Sequence, residues 1–123
     1  PKHKKRILVV EDQDDNRRIM RDLLTSAGFD LIEATNGEEG VRMAKGDRPD
    51  LILMDIQMPV LDGYAATRRI KALPELRDTP IIVVTSYALS GDDVKAREAG
   101  ADGYVSKPFS PRELLAKIRQ FLP

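Results

Sequence analysis

Three runs of consecutive apolar residues limit the folds that this chain can adopt. They occupy residues 7–10, 51–54 and 81–84. None of these runs alternates apolar with polar residues, as a strand with one solvated face would. Each run is therefore predicted to be a strand that is buried on both faces. Strands of this kind are typical of parallel sheets that are covered by helices on either side.

Helical signals separate these strands along the chain. Two shorter strands are predicted at residues 30–34 and 103–105. Apolar residues at helical spacing, with caps at the start and Gly or Pro at the end, predict five helices beginning near residues 14, 36, 64, 90 and 110. The alternation predicts an α/β fold: a flavodoxin-like, doubly wound, five-stranded parallel sheet of strand order 2-1-3-4-5 with five helices.

The composition narrows the classes of protein that fit. The 123 residues suit one domain, 1–123, with a basic leader at residues 1–5. Lys and Arg together number 20, as do Asp and Glu, so no net charge draws the chain to nucleic acid or to a membrane surface. His3 is the only histidine and cysteine is absent, which argues against multi-histidine metal sites and thiol chemistry. No apolar run is long enough to span a bilayer, so we expect a cytoplasmic protein without membrane insertion.

Polar side chains end four of the five predicted strands. They are Glu11 and Asp12 after the first strand, Asp55 after the third, Thr85 and Ser86 after the fourth, and Lys107 after the fifth. The carboxyl ends of parallel strands meet at one edge of the sheet, where ligands bind in folds of this kind. Each residue alone has a simpler explanation as a cap, a turn or a loop residue. Their joint placement favours a functional site.

Three carboxylates at one sheet edge repel one another. Two unit charges about 4 Å apart cost on the order of 4 kcal/mol at a surface-like dielectric, so either one group is protonated or a cation lies among them. An all-oxygen cluster with few ligands suits Mg²⁺. Asp55 could then attack phosphorus, while Lys107 and the Thr85 hydroxyl align and neutralise the transferred group. The residues therefore predict a carboxylate that accepts a phosphoryl group, with Mg²⁺ as cofactor.

From residue 6 to residue 122, the sequence resembles the receiver domain of two-component response regulators. The motifs that carry the resemblance are Ile7-Leu8-Val9-Val10-Glu11-Asp12, Asp50-Leu51-Ile52-Leu53-Met54-Asp55 followed by Met58-Pro59 and Asp62-Gly63, Val83-Val84-Thr85-Ser86, Gly100-Ala101-Asp102-Gly103-Tyr104, and Lys107-Pro108-Phe109. The resemblance implies a receiver domain that accepts a phosphoryl group on Asp55 from a histidine kinase or a histidine phosphotransfer protein. Such a domain would catalyse only its own phosphorylation and slow dephosphorylation, and would not otherwise be an enzyme.

The resemblance also implies a role for each site residue. Asp12 and Asp55 would bind Mg²⁺ directly, together with the backbone carbonyl of Gln57, and Glu11 would act through water. Glu11 stands where Asp is more usual in the family, which slightly alters its reach to the metal.

Other positions of the motifs would surround the phosphoryl group. Thr85 would donate a hydrogen bond to it and Lys107 would pair with it. Ser86 is small enough to admit the phosphodonor, and a cis bond before Pro108 would aim the lysine. Tyr104 matches an aromatic switch position that turns inward when Thr85 moves.

The output implied by this switch is a conformational shift of helix four, strand five and helix five. Lys95, Tyr104 and Arg112 are the candidate contacts with a downstream protein target. We expect a monomer or a weak dimer that does not bind nucleic acid directly. The chain could be a stand-alone receiver or a receiver excised from a hybrid histidine kinase or a larger regulator.

Three other interpretations fit parts of the sequence. A flavin-binding module could share the fold, but Glu11 and Asp12 would repel its phosphate. A Mg²⁺-dependent phosphatase with an Asp nucleophile usually has a second Asp two residues later, where this chain has Gln57. An interaction domain that is never phosphorylated would not need the combination of Asp12, Asp55, Thr85 and Lys107.

Overall fold

Five strands and five α-helices alternate along the part of the chain that the structure describes. The structure is a computed structural model, and it describes residues 4–56, 60–85, 92–107 and 109–122, with the backbone alone at residues 92 and 93. The strands are β1 (Arg6–Val10), β2 (Asp30–Ala34), β3 (Leu51–Asp55), β4 (Ile81–Thr85) and β5 (Gly103–Ser106). The helices are α1 (Asp14–Ser26), α2 (Gly37–Asp47), α3 (Gly63–Lys71), α4 (Asp92–Glu98) and α5 (Pro111–Phe121). A short 3₁₀-helix, Pro74–Leu76, lies between α3 and β4.

All neighbouring strands pair in parallel, and their order is β2-β1-β3-β4-β5. The predicted sheet is therefore confirmed. β1 lies between β2 and β3. The sheet therefore grows from β1 towards one edge with β2, and towards the opposite edge with β3, β4 and β5. In open sheets of this type, ligands bind in the crevice outside the carboxyl ends of the two strands where this direction changes, here β1 and β3.

The strand residues pack in two layers because successive side chains point to opposite faces of the sheet. One layer combines Ile7, Val9, Leu51, Leu53, Ile82 and Val84 with Met20 and Leu24 of α1 and Leu114 and Ile118 of α5. The other combines Leu8, Val10, Ile52, Met54 and Ile81 with Ala44 of α2 and Ala66 and Ile70 of α3. Helices thus shield both faces of β1, β3 and β4 from solvent, which explains their unbroken apolar runs.

Side-chain caps set the start of three helices. Asn36 accepts a hydrogen bond from the backbone N–H of Glu39 at 2.8 Å, and Asp62 accepts one from that of Ala65 at 2.9 Å. Ser110 and Glu113 form the reciprocal capping box that the sequence predicts, with Pro111 at the first helical position. Each such cap stabilises its helix by about 1 kcal/mol.

The end of α3 differs from the prediction, which placed it near residue 73. The helix ends at Lys71, and Leu73 has extended backbone angles. A residue that precedes proline is sterically disfavoured in the helical region, so Pro74 ends the helix before its own position. Among the described residues, no helix is long and apolar enough to cross a membrane.

Candidate acidic site at the carboxyl edge of the sheet

The structure brings together the three carboxylates that the sequence places at strand ends. Each of Glu11, Asp12 and Asp55 offers an oxygen, and these oxygens all lie within 4.8 Å of one another. Glu11 and Asp55 are buried, with exposed fractions of 2% and 7%, whereas Asp12 is half-buried. Of the described residues, only these form an acidic group of this size and density.

Backbone pairing beyond the strands fixes where these side chains start. The N–H of Glu11 donates to the carbonyl of Ala34 at 3.0 Å, which extends the β1–β2 pairing by one residue. In the same way the N–H of Lys107 donates to the carbonyl of Thr85 at 2.6 Å and continues the β4–β5 pairing. Glu11 and Lys107 therefore lie on one-residue extensions of the sheet, and Asp55 is the last residue of β3.

Lys107, which directly follows β5, reaches into the acidic cluster. Its Nζ lies 3.2 Å from Oε1 of Glu11 and 3.5 Å from Oδ1 of Asp55. Sequence considerations paired this lysine with Asp55 or with a bound anion, and the structure shows that Glu11 is the nearer partner. One ammonium group between these two carboxylates compensates only part of the negative charge that the three acidic residues can carry.

Burial and the neighbouring negative charges both raise the pKa values of two carboxylates in the cluster. The pKa of Glu11 is raised, first because burial disfavours its charged form and then because Asp55 repels it. The pKa of Asp12 is also raised, by partial burial first and then by its hydrogen bond and repulsion with Glu11. A cation among the three groups would favour their charged forms. The donors are all carboxylate oxygens, which are ligands that Mg²⁺ accepts.

The two residues predicted to act as a switch, Thr85 and Tyr104, lie on β4 and β5. Thr85 is buried at the end of β4 and pairs in register with Ser106. Tyr104 packs against an apolar group formed by Ile56, Val83 and Ala96. Ile56 directly follows Asp55, so the residue next to the candidate acceptor contacts the same apolar group as Tyr104.

Some residues assigned from the resemblance lie outside the described residues. They are Gln57, Ser86 and Pro108, together with the neighbouring positions 58, 59 and 87. Their assigned roles stay predictions.

Gly63 has a close contact that its interpretation as part of a helix start missed. Its N–H donates to the carbonyl of Ile56 at 3.0 Å. A Cβ at this position would overlap the carbonyl oxygen of Asp55 and lie 2.8 Å from Cα of Ile56. α3 can therefore start against the end of β3 only if residue 63 has no side chain. In the sequence, the only sign of this contact was a glycine directly after the helix cap Asp62. The spacing between Gly63 and Asp55 along the chain does not show that the two residues are in contact.

Arg17 is a second residue that the prediction missed. Its side chain, 12% exposed, donates a hydrogen bond from a terminal nitrogen to the backbone carbonyl of Glu11 at 2.7 Å. The sequence could have indicated this bond in one way. α1 begins close to the end of β1, so an arginine in the first turns of α1 can reach back to the strand end.

Comparison with known proteins shows which family the chain belongs to. The family model of the response regulator receiver domain matches residues 7–119. The polar-differentiation response regulator DivK of Brucella anthropi is 40% identical over 118 residues, covering 96% of each chain, and that of Brucella melitensis is 38% identical with the same coverage.

Solved structures agree with this match. The receiver domain of a sensor histidine kinase from Pseudomonas aeruginosa, crystallised with a magnesium ion in its active site cleft, is 39% identical with a TM-score of 0.92 over 98% of both chains. The chemotaxis response regulator CheY4 of Vibrio cholerae is 27% identical with a TM-score of 0.91, covering 97% of this chain and 99% of its own. The chain belongs to the family of response regulator receiver domains of two-component signalling.

Proposed function

We propose that Asp55 accepts a phosphoryl group from a phosphorylated histidine of a kinase or a phosphotransfer protein, with Mg²⁺ bound at the acidic site. One observation carries the proposal: Asp55 ends the central strand β3 within 4.8 Å of two other carboxylates and 3.5 Å from Lys107. In the reaction, a carboxylate oxygen of Asp55 forms a bond to phosphorus and the phosphorus–nitrogen bond to histidine breaks. The imidazole leaves with the electron pair of that bond and takes up a proton, and an acyl phosphate remains.

Asp55 fits the role of acceptor better than Glu11. Both carboxylate oxygens of Glu11 accept hydrogen bonds, one from Lys107 at 3.2 Å and the other from the backbone N–H of Gln13 at 3.3 Å. These bonds hold Glu11 in place and leave it less free to attack phosphorus. Glu11 is better suited to balancing Lys107 and supporting the metal.

The family suggests the remaining roles, and the convergence of Glu11, Asp12 and Asp55 supports them. Asp12 and Asp55, with the backbone carbonyl of Gln57, would hold Mg²⁺ directly, and Glu11 would act through water. The metal, when bound, neutralises charge on the phosphoryl oxygens. Lys107 already lies between Glu11 and Asp55, so it needs only a small movement to pair with a phosphoryl group on Asp55. The Thr85 hydroxyl would donate a hydrogen bond to that group. We expect self-phosphorylation and slow self-dephosphorylation, and no turnover of other substrates.

The phosphorylation test uses a small donor. With acetyl phosphate and Mg²⁺, the intact mass of the protein should rise by one phosphoryl group, and Asp55→Asn should abolish the gain. Asp47→Asn, which changes an exposed carboxylate at the end of α2, is the matched control and should be labelled like the wild type. Equal labelling of Asp55→Asn, or of the wild type in EDTA, would refute the proposal.

We further propose that phosphorylation shifts the surface formed by α4, β5 and α5. The phosphoryl group adds roughly −1.5 to −2 charge at neutral pH, which attracts the Thr85 hydroxyl. Tyr104 would respond through the apolar group that it shares with Ile56. A cavity of about 130 Å³, lined by Ala96, Arg97, Asp102, Gly103 and Tyr104, lies between α4 and β5 and leaves room for side-chain movement.

Amide NMR spectra recorded with and without beryllofluoride and Mg²⁺ test this output. We expect shifts at Tyr104 and along α4 as well as around Asp55. Because a bound group only changes the populations of existing states, some of the active form should be detectable without it. Shifts that stay next to Asp55 and never reach Tyr104 or α4 would contradict this mode of output.

A further inference from the structure

Arg17 connects the acidic site to the edge strand β2. Besides its 2.7 Å hydrogen bond to the carbonyl of Glu11, its guanidinium forms ion pairs with Asp14 and, at 3.6 Å, with Glu33. With 12% of its side chain exposed, Arg17 lies between α1 and the sheet and not in solvent. Its planar, multi-donor head group can engage these partners at once.

Glu33 is a fixed anchor for this arginine. Arg21 donates two hydrogen bonds to the two carboxylate oxygens of Glu33, at 2.7 and 2.8 Å. These bonds hold the pKa of Glu33 below its usual range, so Glu33 keeps its charge at neutral pH. Two bonds in parallel also fix the orientation of the carboxylate. Arg17 therefore contacts a partner that is itself held in place.

The bond from Arg17 completes the set of restraints on Glu11. The N–H of Glu11 is held by the carbonyl of Ala34, and its two carboxylate oxygens are held by Lys107 and by the N–H of Gln13. The carbonyl is held by Arg17. That carbonyl belongs to the peptide that leads into Asp12, so its orientation sets the direction in which the Asp12 side chain leaves the backbone.

We infer that Arg17 is a positioning residue for the metal site: it orients the peptide between Glu11 and Asp12 so that the carboxylates of Asp12 and Asp55 converge on the cation. This inference rests on the proposed function. Arg17 touches the backbone of the site and none of the three carboxylates that would surround the metal. Its effect on metal binding is therefore indirect.

The direction of the effect distinguishes positioning from simple electrostatics. A positive charge near a cation site weakens binding, so removal of Arg17 for charge reasons alone would tighten Mg²⁺ binding. Removal of a positioning contact would weaken it. Loss of a residue that orients metal ligands typically lowers affinity by about 10-fold to 100-fold.

The experiment is calorimetric titration of Mg²⁺ into the wild type, Arg17→Ala, Arg17→Lys and Arg18→Ala. Arg18 is the matched control, because it lies on the same helix with 66% of its side chain exposed and pairs only at 3.8 Å with Asp15 among the contacts described. We expect Arg17→Ala to bind about 10-fold more weakly and Arg18→Ala to bind like the wild type. Arg17→Lys keeps the charge but not the planar head group, so it should also bind more weakly than the wild type.

Thermal melts in EDTA separate this role from a structural one. Arg17→Lys is expected to remain folded at the titration temperature and still to require more Mg²⁺ for saturation. Equal or tighter binding by Arg17→Ala and Arg17→Lys would overturn the inference while leaving the proposed function intact. A wild-type protein that bound no Mg²⁺ would instead overturn the metal part of the proposed function, and with it this inference.

Discussion

Replacing Gly63 by alanine is expected to destabilise the protein by about 3 kcal/mol and to suppress phosphorylation of Asp55. The new Cβ would overlap the carbonyl oxygen of Asp55 and approach Cα of Ile56 to 2.8 Å. Both are backbone atoms of the strand end, so neither can move aside as a flexible side chain would. Forcing an extra carbon into such a contact typically costs about 1–3 kcal/mol, and here the movement also displaces the acceptor.

Gly46→Ala is the matched control for this substitution. Gly46 lies inside α2, and a Cβ there would meet no atom within 4 Å. Alanine is the better helix former by about 1 kcal/mol, so this variant should be slightly more stable than the wild type. Urea unfolding gives both values, and acetyl phosphate labelling gives the second effect. A Gly63→Ala protein with wild-type stability and labelling would show that α3 does not need this close approach.

Replacing Lys71 by methionine is expected to cost about 2 kcal/mol of unfolding free energy. The Nζ of Lys71 donates to the carbonyls of Arg77 and Thr79, at 3.0 and 2.7 Å, and forms an ion pair with Asp102 at 2.7 Å. With 14% of the Lys71 side chain exposed, water cannot fully replace these bonds in the variant. Asp102 also accepts a hydrogen bond from the N–H of Ile81.

The consequence of this substitution extends to β5. Asp102 precedes β5 and is bonded to Ile81 at the start of β4 through both its carboxylate and its N–H, so Lys71 links the end of α3 to two strands. Lys45→Met is the matched control, since Lys45 is an exposed lysine of α2 and its loss should change stability by less than about 0.5 kcal/mol. Equal stabilities of the two variants in urea unfolding would mean that the Lys71 contacts contribute nothing beyond those of a surface lysine.

The sheet could be predicted from the sequence because its signals are local. Runs such as residues 51–54 can be buried on both faces only in a covered sheet, and capping residues such as Asn36 and Ser110 act on their own helices. The acidic site followed from the same logic, since strand ends of a parallel sheet share one edge. Glu11, Asp55 and Lys107 therefore meet although more than 40 residues separate neighbouring members along the chain.

The contacts that the sequence did not reveal depend on how helices dock. The carbonyl of Glu11 meets Arg17 only because α1 presents that side to the sheet, and spacing along the chain does not fix this rotation to within a hydrogen-bond length. The fit of Gly63 against Asp55 likewise depends on the distance between α3 and β3. The distances from Lys107 to Glu11 and to Asp55 depend on the side-chain rotamers of all three residues, and the sequence does not specify these rotamers.

The position of the phosphoryl group is the most direct test of the central claim. After treatment with acetyl phosphate and Mg²⁺, borohydride reduces an aspartyl phosphate to homoserine, and peptide mass spectrometry then identifies the converted residue. We predict homoserine at Asp55 and unchanged aspartate at Asp12 in the wild type, with no homoserine in samples prepared in EDTA. Conversion of Asp12, or an equal yield without Mg²⁺, would contradict the assignment of Asp55 as the Mg²⁺-dependent acceptor.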